Sequence, residues 1–378
     1  MAQEAVARDD FMQRARELAE HGRYTTAPNP LVGAVVVRDG VVVGEGWHTR
    51  AGGEHAEVAA LESSGSAAQG AELYVTLEPC NHYGKTPPCT DAILRAGVVR
   101  VVTGQLDPNP RMRGRSVDLL REAGIEVEVL NDADFEKQNE QFLHFMRTGR
   151  PFVHIKLATS LDGKIAASNG ESKWVTGEAA RCRAHLLRAE AGAVLVGAET
   201  ARVDDPLLTP RDISEEAPMV TRVVLDPHLT LPFDGQLVGT AYIDPVVVFA
   251  KEDAGSKDRA DELRERAVEV VPAPVVDGKL DLIFVLEELG RRGIRGVLVE
   301  GGGETAGRFV GWGLADKLTL FYAPKVLGAE GVPLTGSLKV VGMSEAPRLR
   351  VETVEKVGED IAVTLYPLKE DDLVHRAS

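Results

Sequence analysis

Three side chains able to hold a soft divalent cation stand close together in the chain: His55, Cys80 and Cys89. A proline precedes each cysteine, and Glu57 follows His55 by two positions. One neutral imidazole and two thiolates give Zn2+ three protein ligands with no net site charge. They leave the fourth tetrahedral position to water, the pattern of a catalytic zinc. Zinc lowers the pKa of that water toward neutrality. Glu57 is not needed as a ligand, so it can take the water proton and pass it to a ring nitrogen and to departing ammonia. These are the parts of a zinc nucleobase deaminase. Two other readings of the cysteines stand beside this one: a disulfide, or a closed structural site with His82 as fourth ligand. Cys182 falls in a helical stretch and reads as ordinary packing.

A second group of segments carries chemistry further along the chain. Lys156 is expected at a strand end, just before Ser160-Leu161-Asp162-Gly163-Lys164. Thr200 to Pro206 is expected to leave a strand into a loop, and Glu300-Gly301-Gly302-Gly303 to join a buried strand to a helix. Ligands gather at the carboxyl ends of strands in open α/β sheets. Glycines there admit a phosphate to a helix N-terminus. The triple glycine is not the dinucleotide fingerprint, because Ala306 stands where its third glycine belongs; a plain turn is the competing reading. Arg188 and Arg211 are suited to bidentate bonds with a phosphate, against a solvated helix face for Arg188. A snorkelling strand end is the plain alternative for Lys156.

These residues need elements to position them. Residues two apart on a regular helix point roughly 200° apart. His55 and Glu57 therefore meet on one metal only at an irregular first turn, which fixes where a helix over His55 to Ser63 begins. Both cysteines are expected at or beside helix starts, whose positive ends favour thiolates. Asp9-Asp10 is expected to cap an amphipathic helix carrying Phe11, Ala15, Leu18 and Ala19. Val-rich runs at Leu31 to Val37 and Val41 to Val43 flank Asp39-Gly40, a hairpin signal. Strands at Leu73 to Leu77, Val98 to Thr103 and Ile125 to Leu130 alternate with helices from Thr90 and over Leu119 to Ala123. That alternation predicts a three-layer α/β sandwich. Met146 to Pro151 breaks the pattern. A second α/β alternation follows, with strands at Phe152 to Leu157, Ala193 to Val196, Arg222 to Leu225, Val246 to Phe249, Gly296 to Val299, Lys317 to Tyr322 and Ile361 to Tyr366. Lys251 to Val268 reads as a solvated helix. The boundaries are 1–149 and 150–368, with a frayed tail over 369–378.

Composition narrows the function class. The 378 residues are 44% hydrophobic and 27% charged with a net charge of −15. So acidic a chain is unsuited to nonspecific nucleic-acid binding, which relies on Lys and Arg. No apolar run reaches the roughly 20 residues that span a bilayer, and the N-terminus lacks a signal peptide's apolar core. The expectation is a cytoplasmic protein with neither nucleic-acid nor membrane partners. Three cysteines are an odd, sparse set for a disulfide framework.

The segments Pro28-Asn29-Pro30-Leu31-Val32-Gly33, His55-Ala56-Glu57 and Thr76-Leu77-Glu78-Pro79-Cys80 through Pro88-Cys89 closely resemble the bacterial bifunctional riboflavin biosynthesis deaminase–reductases. The longer loop between the cysteines separates the chain from cytidine deaminases. The resemblance runs from about Asp10 to Pro367. It implies a cytidine-deaminase-like three-layer α/β/α domain followed by a dihydrofolate-reductase-like α/β domain. It also implies zinc and NADPH as cofactors and a phosphorylated pyrimidine as substrate; a homo-oligomer is the expectation for the assembly. By the same resemblance Asn29 and His48 touch the pyrimidine, although Asn29 between two prolines also reads as a turn residue. Ala158, Trp174, Thr200, Gly302 and Gly303 are implied to face NADPH. Ser172, Arg188, Asp204, Leu208, Arg211 and Glu300 are implied to lie near the phosphoribosyl group. Hydride addition at C1′ of the opened ribose leaves a proton to be managed, by Lys156 or Asp204. Two rival functions remain: a deaminase whose second domain only binds nucleotide, and a zinc-stabilised binding protein without turnover.

Overall fold

The computed structural model describes residues 2–84, 87–213, 218–252 and 257–368. Lys85, Thr86 and the tail over 369–378 lie outside the described residues. The chain divides into two compact units, Met1–Gly149 and Arg150–Ser378.

The first unit runs α1 (Ala2–Glu20), β1 (Gly33–Arg38), β2 (Val41–Trp47), α2 (Ala56–Ser64), β3 (Glu72–Leu77), α3 (Cys89–Ala96), β4 (Arg100–Gln105), α4 (Arg115–Glu122), β5 (Glu126–Val129), α5 (Ala133–Gln138) and α6 (Glu140–Thr148). Its sheet order is β2-β1-β3-β4-β5. Strand β1 is antiparallel to β2 and β3, whereas β3, β4 and β5 are parallel. Successive strand side chains point to opposite faces. Ala34 and Val36 accordingly meet Ala56, Ala60 and Ile93, while Val35 and Val37 meet Met12, Ala15 and Leu18. Two apolar faces on one sheet make the three layers.

The hairpin turn forms as expected, with Asp39 at φ 53° and Gly40 at φ 75°. Helix α2 lies close on the sheet because β2 presents glycines to it. A Cβ on Gly46 would fall 2.4 Å from the Ala60 backbone nitrogen, and one on Gly44 2.4 Å from the Ala60 carbonyl oxygen.

The second unit begins with β6 (Phe152–Ser160), β7 (Lys164–Ala166), α7 (Glu178–Glu190), β8 (Ala193–Gly197), α8 (Ala198–Asp204), β9 (Thr221–Leu225), α9 (Gln236–Gly239), β10 (Val246–Ala250), α10 (Lys257–Glu265) and β11 (Val268–Pro272). It continues through β12 (Val275–Val276), β13 (Lys279–Leu280), α11 (Leu282–Arg291), β14 (Gly296–Glu300), α12 (Gly303–Gly311), β15 (Lys317–Ala323), β16 (Val332–Pro333), β17 (Leu349–Val357) and β18 (Asp360–Pro367). A nine-stranded sheet in the order β11-β10-β9-β8-β14-β6-β15-β18-β17 forms its centre. It is parallel from β11 to β15, and the β18–β17 ribbon closes one edge antiparallel. Leu286, Leu289 and Phe309 cover one face; Ala201, Leu237 and Leu263 cover part of the other.

Five local expectations need correction. Helix α1 starts at Ala2, so Asp9 and Asp10 lie inside it rather than at its cap; the preceding AQEAVAR run consists mostly of good helix formers. Lys156 sits in the middle of β6, because pairing with β15 extends that strand to Ser160. Thr200 belongs to α8, which ends at Asp205 in the left-handed conformation (φ 40°). Cys182 is exposed on α7 and is not a packing residue. The helical reading of Lys251 to Val268 narrows to α10, and 253–256 lie outside the described residues.

Candidate active sites

The metal-site geometry begins at a helix boundary. His55 is the N-cap of α2 with extended backbone (φ −80°, ψ 156°), and Glu57 stands in its first turn. This is the irregularity that the His-x-Glu spacing demanded, and both side chains line one cavity of about 420 Å3. Cys89 is the first residue of α3, with Pro88 at its N-cap. Cys80 is not at a helix start. It lies in the loop after β3 and takes a backbone N–H from Cys89 instead (3.3 Å).

The three donor atoms form a near-equilateral triangle. His55 Nδ1 is 3.2 Å from Cys89 Sγ and 3.5 Å from Cys80 Sγ, and the sulfurs are 3.4 Å apart. A tetrahedral zinc with bonds of about 2.0–2.3 Å sets its donors roughly 3.3–3.8 Å apart, close to the size of this triangle, whose shortest side is slightly tighter. The electrostatics fit as well. Hydrogen bonds from Cys89 and His55 pull the Cys80 thiol down to about 4, while the hydrogen bond with Cys80 and burial push the Cys89 thiol upward. Two such sulfurs share negative charge comfortably only around a cation. Among the described residues, this triad is the group of His, Cys, Asp or Glu with metal-binding spacing. His82 lines the cavity but does not join it. The closed four-ligand reading therefore lacks its fourth ligand, and both cysteines are free of a disulfide.

Glu57 is 3% exposed, and burial pushes its carboxyl up to about 7. Asn29 and His48 line the same cavity. His48 Nδ1 lies 2.8 Å from the Glu54 carbonyl, so it donates there, and burial holds the ring's pKa below the usual value. In the neutral ring Nε2 is then an acceptor, and Asn29 Nδ2 meets it at 2.9 Å. Both ring nitrogens of His48 are thus engaged with protein, and the residue orients Asn29.

Residues beyond the sequence reading complete this wall. Asn139 is buried between α5 and α6 and brackets Leu31, accepting from its N–H (2.8 Å) and donating to its carbonyl (3.1 Å). That clamp fixes the end of the Asn29–Leu31 loop. Phe142 and Asp107 also line the cavity. Nothing in local periodicity marks them; a polar Asn amid two helical stretches was the available signal.

In the second unit Ala158, Thr200, Glu300, Gly302 and Gly303 lie at or just beyond the carboxyl-terminal halves of β6, β8 and β14, which are neighbours in the sheet. Helix α12 begins after Gly302, and Gly301 and Gly302 have φ of 76° and 71°. A Cβ on Gly301 would fall 2.9 Å from Thr200 Cγ2. The glycines thus leave a cradle at a helix N-terminus, which suits a dinucleotide phosphate. Ala158 lies half-buried on β6, opposite Phe321 in register, and Trp174 is exposed beneath Arg181, 4.6 Å from its ring centre.

Glu300 ends β14 directly across from Lys156. Arg188 reaches it from α7 with two bonds, Nε–Oε1 2.6 Å and Nη2–Oε2 2.8 Å, and gives its third to the Thr209 carbonyl (3.2 Å). The fork expected to grip a phosphate is therefore closed on a carboxylate, because the two side chains share a buried site where neither charge can stand alone. Arg188 and Lys156 together hold the Glu300 carboxyl down at about 2. Burial lowers the Lys156 ammonium below its ordinary value. Asp204 accepts from the Ser172 hydroxyl (3.2 Å), so those two expected site residues do meet. Leu208 is buried with φ 59°, and Arg211 is exposed.

A deaminase-type zinc triad on one three-layer unit, joined to a doubly wound reductase-like sheet with a glycine cradle, defines a two-domain deaminase–reductase. Residues 6–105 match the cytidine and deoxycytidylate deaminase zinc-binding region, and residues 151–363 match the RibD C-terminal domain. The chain belongs to the bifunctional RibD family of riboflavin biosynthesis. It is 43% identical to the riboflavin biosynthesis protein RibD of Aquifex aeolicus (strain VF5), over 94% of this chain and 97% of that one. With the Escherichia coli (strain K12) protein of the same name it shares 40% identity over 94% and 98% of the two chains. Among solved structures, Acinetobacter baumannii RibD superposes with a TM-score of 0.86 at 36% identity, covering 97% of this chain and 100% of that one. A diaminohydroxyphosphoribosylaminopyrimidine deaminase/5-amino-6-(5-phosphoribosylamino)uracil reductase from Thermotoga maritima superposes at 0.83 and 37% identity, covering 96% and 99%. The first domain is cytidine-deaminase-like and of the zinc-binding type; the second is dihydrofolate-reductase-like and related to NADPH-dependent reductases. No described helix is long and apolar enough to cross a membrane.

Proposed function

We propose that the chain deaminates 2,5-diamino-6-ribosylamino-4(3H)-pyrimidinone 5′-phosphate within residues 1–149 and reduces the ribosyl group of the product within residues 150–368. The observation that carries this reading is the triangle of His55, Cys80 and Cys89 donors at 3.2–3.5 Å sharing a cavity with buried Glu57.

Zinc, when bound by His55, Cys80 and Cys89, supplies the Lewis acidity that activates water. Glu57 carries the protons: it accepts one from the attacking water, delivers it to the ring nitrogen and assists the departing ammonia. A carboxyl whose proton is held near neutral pH serves both directions of that transfer. Asn29, oriented by His48, hydrogen-bonds the pyrimidine edge.

In the second domain Ala158, Trp174, Thr200, Gly302 and Gly303 hold NADPH, which supplies the hydride for C1′ of the opened ribose. Ser172, Asp204, Leu208, Arg211 and Glu300 hold the phosphoribosyl group, and Arg188 acts there by fixing Glu300. Lys156 or Asp204 handles the accompanying proton; a buried amine with lowered pKa suits that task.

The protein works as a cytoplasmic homo-oligomer on a small phosphorylated substrate. The test is incubation of the purified chain with the diaminopyrimidine ribotide, with and without NADPH, following ammonia and nicotinamide together. Ammonia release without NADPH oxidation would reduce the second domain to a nucleotide-binding module. Neither signal would leave a zinc-stabilised binding protein.

A further inference from the structure

Glu78 ends the strand-to-loop segment ahead of Cys80, is 6% exposed and lines the cavity. Among the described residues its carboxylate has no ion-pair partner. Instead it collects four donors from one stretch of chain: the Asp107 and Gly114 N–H groups on Oε2 (2.9 Å each), and the Ser116 N–H (3.2 Å) and hydroxyl (2.5 Å) on Oε1. A buried carboxylate is stable only when hydrogen-bonded, and here the first turn of α4 and the loop before it supply every bond. The loop is wired internally as well. Asp107 Oδ1 accepts from the Asn109 N–H (2.7 Å), and Asn109 Oδ1 from the Arg111 N–H (3.1 Å).

The contents of that loop give the arrangement its meaning. Asp107 is part of the cavity wall. Arg111, Arg113 and Arg115 follow with exposed side chains, and none makes a side-chain hydrogen bond or ion pair among the described residues. Three cations within five positions are unusual in a chain of net charge −15. Unpaired guanidinium groups on a loop that starts in the cavity wall suit a phosphate.

We propose that Glu78 is a positioning residue of the deaminase site: it holds the Asp107–Ser116 loop in the shape that lets its arginines take the 5′-phosphate of the substrate. This rests on the deaminase reading above. Glu78→Gln keeps the size of the side chain but turns an amide NH2 toward backbone N–H groups, so the loop loses its anchor. Ser116→Ala removes one donor and serves as the milder variant.

The experiment measures deamination of the ribotide and of the matching riboside, which lacks the phosphate, by wild type and both variants. For Glu78→Gln the expected result is a KM for the ribotide raised about ten-fold, with kcat within about two-fold. The penalty should be much smaller on the riboside, zinc content and the reductase step should be unchanged, and Ser116→Ala should shift KM in the same direction by less. Equal penalties on ribotide and riboside, or a fall in kcat with KM constant, would overturn the phosphate assignment. A wild-type enzyme that releases no ammonia from the ribotide would instead remove the deaminase reading, and this inference with it.

Discussion

The Arg188 guanidinium closes on both oxygens of Glu300, at 2.6 and 2.8 Å, with the two side chains only 13% and 9% exposed. This contact links α7 to the carboxyl end of β14 and sets Glu300 beside Lys156. Breaking one side of a buried pair leaves an uncompensated charge, which costs about 3–5 kcal/mol. Glu300→Gln should therefore lower the urea stability of the second domain by about that amount and abolish reduction. Replacing both partners, Arg188→Met with Glu300→Leu, should recover most of the stability and none of the activity. Denaturation midpoints beside NADPH oxidation read the two effects separately, and a double variant that regains turnover would detach the pair from the site.

Glu57→Gln should retain zinc and lower ammonia release by about 10²–10⁴-fold, the usual contribution of a positioned proton carrier. Reduction of separately supplied deaminated substrate should continue. If both activities fell together, the assignment of separate sites would fail.

His55→Ala removes one of the three protein donors that the described residues bring together. Metal analysis of the purified variant should show zinc lost, with ammonia release absent and NADPH oxidation on deaminated substrate preserved. A strong chelator acting on the wild type should reproduce that pattern, and zinc added back should reverse it.

His154 is buried on β6, its Nε2 2.8 Å from the Thr319 hydroxyl, and burial pushes its pKa down to about 3 from an ordinary 6.5. The folded state keeps this ring neutral where the unfolded chain protonates it. Its contribution to stability is therefore full above pH 6.5 and is lost as pH falls from 6.5 toward 3. Between about pH 6.5 and 5 that loss is about 2 kcal/mol. His154→Gln should flatten the decline in urea midpoint over that interval, which lies above the window in which Glu300 titrates. An unchanged slope would show that His154 does not govern it.

The donor set, the element alternation and the family were all legible in residue order. A His and two Cys at this spacing are a zinc donor set, glycines and prolines punctuate elements, and Asp39-Gly40 can do little but turn. Even the non-helical backbone of His55 followed from spacing alone, since a two-residue interval cannot converge on a regular helix. Periodicity is local information, however. It set Lys156 at a strand end because it could not count the β15 pairing that carries β6 on to Ser160.

Tertiary structure decided which polar group answers which. Arg188 meets Glu300 across 112 positions, Asn139 clamps Leu31 across 108, and Glu78 gathers Asp107 through Ser116. Each of these partners looks, from sequence, like a solvated charge or a turn residue. Once buried, each must find the donor or acceptor that the fold brings within about 3 Å. The chain's order therefore named the chemistry, and the long-range packing assigned the partners that orient it.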